Sequence, residues 1–245
     1  MTDPLEPLTR LPGVAEDAEA VREALTRVNN HRANRRGWPA TSAEALVRAA
    51  RASADLDGGS AELPADGPVD DAVLAGSLRV ADALGGLLSA WRSAPRQALA
   101  RLHVLAAADL PGVTDDDLGR PRRDAGVGER LDALAGLVTG GTSVPAPVLV
   151  AVVHGELLAL TPFPSATGVV ARAAARLTAV ATGLDPKGLA VPEVGHYRAA
   201  EEYRAAAAGF ATGQPEGLAR WFAHCAAAWQ VGAREGYGIA EAASA

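Results

Sequence analysis

The residues whose types and spacing bear on chemistry lie in one segment, Thr161-Pro-Phe-Pro-Ser-Ala-Thr-Gly-Val-Val-Ala-Arg172, set between two apolar stretches. Gly168, followed by Val169 and Val170, opens a helical pattern. The first turn of a helix carries N–H groups without intrahelical partners, and the aligned peptide dipoles put partial positive charge there. Such an end attracts anions, so Gly168, Val169 and Arg172 form a candidate anion site. The plainer reading, that Gly168 only permits the turn, stands beside it. A second pattern, Ser53-Ala-Asp-Leu-Asp57-Gly58, places a carboxylate at a helix end.

Other chemistry is poorly served. His154-Gly-Glu156 supplies half of a zinc-deaminase signature, but the paired cysteines it needs are missing. The histidines at 31, 103, 154, 196 and 224 show no metal-ligand spacing, and no P-loop, G-x-S-x-G or G-x-G-x-x-G occurs. No metal ligand set and no cofactor is expected. Cys225, the single cysteine, has no partner for a disulfide and reads as a small buried hydrophobe. His154, in an apolar run, reads as a core histidine; with Glu156 it is also the one candidate for a base near the motif.

The elements around the segment must be helices. Half of the 245 residues are apolar, 49% by count, while only 4% are aromatic, and alanine dominates. Alanine is the strongest helix former and lets helices approach closely. Apolar residues recur at helical spacing from Val14 to Asn30, and a cap at Thr41 or Ser42 predicts a helix running to Gly58. Helices are predicted over 69–91, softened at Gly85-Gly86, and over 95–110, 129–138, 148–160, 169–182, 198–212 and 215–235. Residues 1–13 read as an irregular arm, 113–128 as an irregular surface loop and 183–192 as a loop. Seven to nine helices in one all-α unit result, with residues 1–40 as an N-terminal arm and helix and 41–240 as the helical domain.

The net charge of −6 argues against nucleic acid and anionic membranes as partners. The local exception, His31-Arg-Ala-Asn-Arg-Arg36, reads as a solvated helix end with arginines in its last turn. The acidic, proline-bearing start has no signal-peptide pattern, and the apolar run 144–160 is too short and polar to span a bilayer, so a cytoplasmic protein is expected.

The central segment resembles the motif of the Fic (Fido) nucleotidyl transferases, His-Pro-Phe-x-Asp/Glu-Gly-Asn-Gly-Arg-x-x-Arg, which joins two helices in that family. Pro162, Phe163, Gly168 and Arg172 match in register. Ser53 to Gly58 is similar to the family's inhibitory Ser/Thr-x-x-x-Glu-Gly/Asn, with Asp57 in place of Glu, and the likeness runs in order over residues 40–235. The resemblance implies a Fic-like all-α domain with the helix–loop–helix motif at its centre.

It also implies what is lost. Thr161 stands where the family's base histidine takes the proton from the target hydroxyl, and a threonine cannot accept that proton near neutral pH. Ser165 replaces the acid that holds Mg²⁺, where a hard cation needs carboxylate oxygen. Thr167 and Val169 replace the Asn and first Arg that contact phosphate. Base, metal ligand and charge clamp act as a unit, so their joint loss predicts no AMP transfer and no catalytic residue. The expected function is that of a pseudoenzyme or binding protein. The alternatives are a transferase with another donor or base in the same pocket, and a small-molecule or protein-binding helical module without a nucleotide role. An unidentified protein partner or a nucleotide would be its ligand.

Overall fold

The computed structural model describes residues 3–244. Among them are ten α-helices: α1 (Val14–Asn29), α2 (Trp38–Leu56), α3 (Ala72–Ser93), α4 (Pro95–Ala107), α5 (Val127–Gly136), α6 (Ala146–Leu160), α7 (Thr167–Ala181), α8 (Pro192–Arg198), α9 (Ala200–Ala211) and α10 (Pro215–Ala242). No strand occurs among the described residues. The all-α expectation is met, with one helix more than the upper end of the expected range.

The extra helix is α8, which begins on Pro192, the end of the predicted loop. Proline is pre-set for the first helical turn, where its missing N–H costs nothing. Similarly, Trp38-Pro39 starts α2 ahead of the expected cap, and Gly37 is its N-cap. Thr41 therefore caps nothing; its buried hydroxyl donates to Asn34 Oδ1 at 2.7 Å. Gly85 and Gly86 lie unbroken on the exposed side of α3, and α10 runs seven residues beyond the expected 235. The N-terminal arm carries a 3-10 turn, Glu6–Arg10, and Asp3 accepts from the Thr142 and Ser143 hydroxyls at 2.8–3.0 Å.

The centre of the fold is the α6–α7 pair. A helix apolar all round has to be buried, and α6 buries Val148 to Gly155 without interruption. In α7, Ala171, Ala173, Ala174 and Ala175 keep the helix slim enough for neighbours on all sides. Helices α3 and α4 pack on one flank, α9 and α10 on the other, and α1 lies along α10 through Val21, Leu25, Val28, Trp229 and Ala233. Helix α3 is long and apolar enough to cross a membrane by composition; it packs against α2, α4 and α7.

Candidate functional site

The loop joining α6 to α7 begins and ends on left-handed backbone, Thr161 at φ 43° and Ala166 at φ 53°. These are the two non-glycine residues with positive φ among those described, and each costs about 1 kcal/mol against an ordinary conformation. Between them Phe163 plugs the core, 2% exposed, and stacks on the His103 ring at 4.4 Å with 6° between planes.

At the start of α7 the free N–H groups meet a carboxylate from the chain itself. Asp57, the C-cap of α2, accepts from the Val169 amide at 3.0 Å through Oδ2 and from Arg172 Nη2 at 2.8 Å through Oδ1. A β-carbon on Gly168 would lie 2.3 Å from Asp57 Oδ1, so the glycine is what lets the carboxylate reach the helix end. Gly58, at φ 85°, turns the chain away just after it. The shorter aspartate side chain thus reaches both the start of α7 and Arg172.

Arg172 is held on every side. Its Nε donates to Ser53 Oγ at 2.8 Å, Nη2 also to the Ser53 carbonyl at 3.0 Å, and Nη1 to the Tyr203 hydroxyl at 3.2 Å. Burial works against its charge, but Asp57 and Tyr203 outweigh burial and keep the guanidinium protonated. Since arginine only donates, the Tyr203 oxygen accepts from it, and the phenol proton is left for His154 Nε2 at 2.8 Å. Burial pushes the Tyr203 phenol up to about 12 against the pull of Arg172.

His154 is enclosed by Tyr203, His196 at 5.0 Å and Trp221 at 5.1 Å between ring centroids. Burial first, and Arg172 next, hold its pKa well below the ordinary histidine value. Glu156 lies apart from this cluster, with Arg130 donating to both its oxygens at 2.7 and 2.9 Å. Neither residue of the base candidate pair is turned toward the loop with a free proton acceptor.

Two contacts were not legible in the sequence. His103 of α4 reaches Ser165, Nε2 to Oγ at 3.1 Å, while its Nδ1 accepts the Gly119 amide at 3.0 Å. A backbone N–H can only donate, so Nδ1 is unprotonated, Nε2 carries the hydrogen, and Ser165 accepts it. His103 therefore cannot take a proton from Ser165. The second contact is Arg122, whose amide donates to the Pro162 carbonyl at 2.8 Å and whose Nη2 reaches Thr161 Oγ1 at 2.6 Å and the Leu160 carbonyl at 3.0 Å. The segment 108–126 is thus not merely a surface loop; it bends over the motif and caps α6.

The positions where the resemblance implies a base and a metal ligand are now accounted for. Thr161 is tied to Arg122, Ser165 to His103, and Thr167 with Gly168 opens onto a cavity of about 420 Å³ lined also by Asp57, Arg172, Tyr203 and Arg204. The donor set does not fit a Mg²⁺ ion: Ser165 brings no carboxylate oxygen and is bonded to His103, and Asp57, the acid lining the cavity, is already shared between an amide and a guanidinium.

Comparison with known proteins bears on the fold. No family model matches the sequence, and no curated protein matches it. Among solved structures, residues 134–508 of Fic-1 from C. elegans superimpose with a TM-score of 0.68 at 15% identity, covering 94% of this chain and 73% of that one. A single-substitution variant of the same Fic-1 segment gives 0.64 at 16% identity, covering 92% and 72%. The chain shares the all-α fold of these Fic-1 structures.

Proposed function

We propose that this chain is a non-catalytic protein on a Fic-type fold, acting by binding, whose ancestral phosphate position is filled by its own carboxylate. The observation that carries the reading is Asp57, bridging the Val169 amide and Arg172. An anion supplied from outside would need those same two donors. Around them, no side chain at the loop is a free base: Thr161 accepts from Arg122, and the His103 tautomer is set by Gly119. His154, desolvated and bonded to Tyr203, does not replace the missing base.

Labelled nucleoside triphosphates incubated with the protein, Mg²⁺ and cell lysate test this. No label should transfer from the wild type, and none from Asp57→Ala, which empties the position. If Asp57→Ala labels itself or other proteins, and Arg172→Gln abolishes the labelling, the protein is an inhibited transferase and the reading fails.

The cavity beside Gly168 favours one further reading, that a small anion binds there against Arg204 with Asp57 displaced. A nucleotide present at 100 times its dissociation constant would raise stability by roughly 2.7 kcal/mol. A shift of that kind in Asp57→Ala but not in wild type would assign the pocket to that class of ligand.

A further inference from the structure

The protein is acidic overall, yet its unpaired positive charge is concentrated. Among the described residues, the arginines whose side chains make neither an ion pair nor a hydrogen bond include Arg101 and Arg123, which stand apart. The other five, Arg27, Arg32, Arg35, Arg36 and Arg234, gather where α1 ends against α10. Arg27 and Arg234 stand on the two walls of a cavity of about 320 Å³ between these helices. Its floor is Ala24, Val28 and Ala233, and Tyr237, 39% exposed, forms its rim.

The remaining three arginines lie in the 3-10 turn Arg32–Arg35 and at Arg36, directly beyond His31, whose ring packs edge-on against Tyr237 at 4.9 Å. The turn is anchored from inside. Buried Asn34 donates to the Val28 carbonyl at 2.9 Å and accepts from Thr41, while Lys187 Nζ donates to the Asn29 and Asn34 carbonyls at 3.1 and 2.9 Å. The sequence pattern predicts these arginines in the last turn of a helix; they instead follow α1 in a turn whose interior is fixed and whose charges face outward.

We infer that the α1–α10 cleft and the adjoining turn bind an acidic segment of a partner protein, with carboxylates against the arginine row and an apolar side chain in the cleft. The spread of charge along α1, α10 and the turn after α1 fits a series of carboxylates better than a single phosphate group. An exposed tyrosine set among arginines is the composition that anchors protein interfaces. A long nucleic acid is disfavoured because beyond the patch it would cross an acidic surface, the chain as a whole carrying −6. Glu235, next to Arg234 on α10, is held by Arg48 and Arg198, and neither it nor Glu23 or Glu241 lines the cleft. The cleft shares no residue with the cavity beside Gly168, so this inference stands or falls separately from the non-catalytic reading.

The test is fluorescence anisotropy of the full chain with a labelled oligoglutamate peptide containing one leucine, alongside a single-stranded RNA of equal charge. The peptide should bind at low salt and weaken as salt is raised, since exposed charges are screened. The double variant Arg27→Gln/Arg234→Gln should bind at least about tenfold more weakly, and Tyr237→Ala should weaken binding too. The two arginines make no bonds within the fold, so helix content and Tm should be unchanged in that double variant. Arg101→Gln/Arg123→Gln should bind like the wild type. Absence of peptide binding, equal loss in both arginine pairs, or tighter binding of the RNA would each overturn the assignment.

Discussion

Two arginines one turn apart on α7 hold carboxylates in different ways. Arg176 donates to Glu193 at 3.0 Å and to the Ala190 and Gly188 carbonyls at 2.8 and 3.3 Å, and its side chain and that of Glu193 are 6% and 3% exposed. Arg172 is as deeply buried, at 2%, but its partner Asp57 is 24% exposed and lines a cavity. The first pair is sealed between α7 and α8 and acts as a structural pin. The second is reachable from outside and sits on a helix N-terminus. The same ion-pair chemistry is thus sealed in the packing at one turn and open to a cavity at the next, and what distinguishes them is access.

Removing Glu193 should have the largest effect. Glu193→Ala strands a buried guanidinium, and the expected loss is about 3–5 kcal/mol in urea unfolding. If it costs no more than Asp57→Ala, the sealed and open pairs are not different in kind.

Acidification should come next, and it acts on the Arg172 side. His154 and His196 lie well below their ordinary pKa, chiefly through burial, and His103 is lowered for the same reason. The unfolded chain titrates them near 6.5, so between that value and their lower folded values it binds more protons than the native state. Stability is complete above about pH 6.5 and is lost as pH falls toward the folded values. Unfolding measured from neutral to mildly acid pH should show this slope, and His154→Gln should flatten it. An unchanged slope in that variant would remove the histidine cluster from the account.

Asp57→Ala should cost about 1–2 kcal/mol, because water entering from the cavity can satisfy the Val169 amide while Ser53 and Tyr203 still hold Arg172. Gly168→Ala should cost a similar amount by expelling the carboxylate, about 1–2 kcal/mol, and nearly nothing in the Asp57→Ala background. Additive losses in that double-mutant cycle would mean that Gly168 serves the turn alone. The smallest expected effect is a gain: Ala166→Gly should stabilise the chain by about 0.5–1 kcal/mol by relieving left-handed alanine at the loop's end.

Local signals in the sequence reached far. Alanine content and helical spacing gave the all-α class, and Pro162, Phe163, Gly168 and Arg172 located the loop between α6 and α7. Element ends were less legible. Pro39 and Pro192 punctuate a sequence identically whether they stop a helix or start one, and only the chain's direction into the core decides. His103 and Arg122 were missed as parts of the site because they come from α4 and from the loop after it, some 40 to 60 residues before the motif.

What the sequence determined by itself was which groups the loop lacks: threonine is not a base at neutral pH and serine carries no charge, wherever they lie. What only the tertiary structure decided is what meets the start of α7. Whether Asp57 is a bare helix end or the anion on α7 depends on two helices meeting within hydrogen-bond reach. That distance is set by the packing of Gly168, not by its position in the chain.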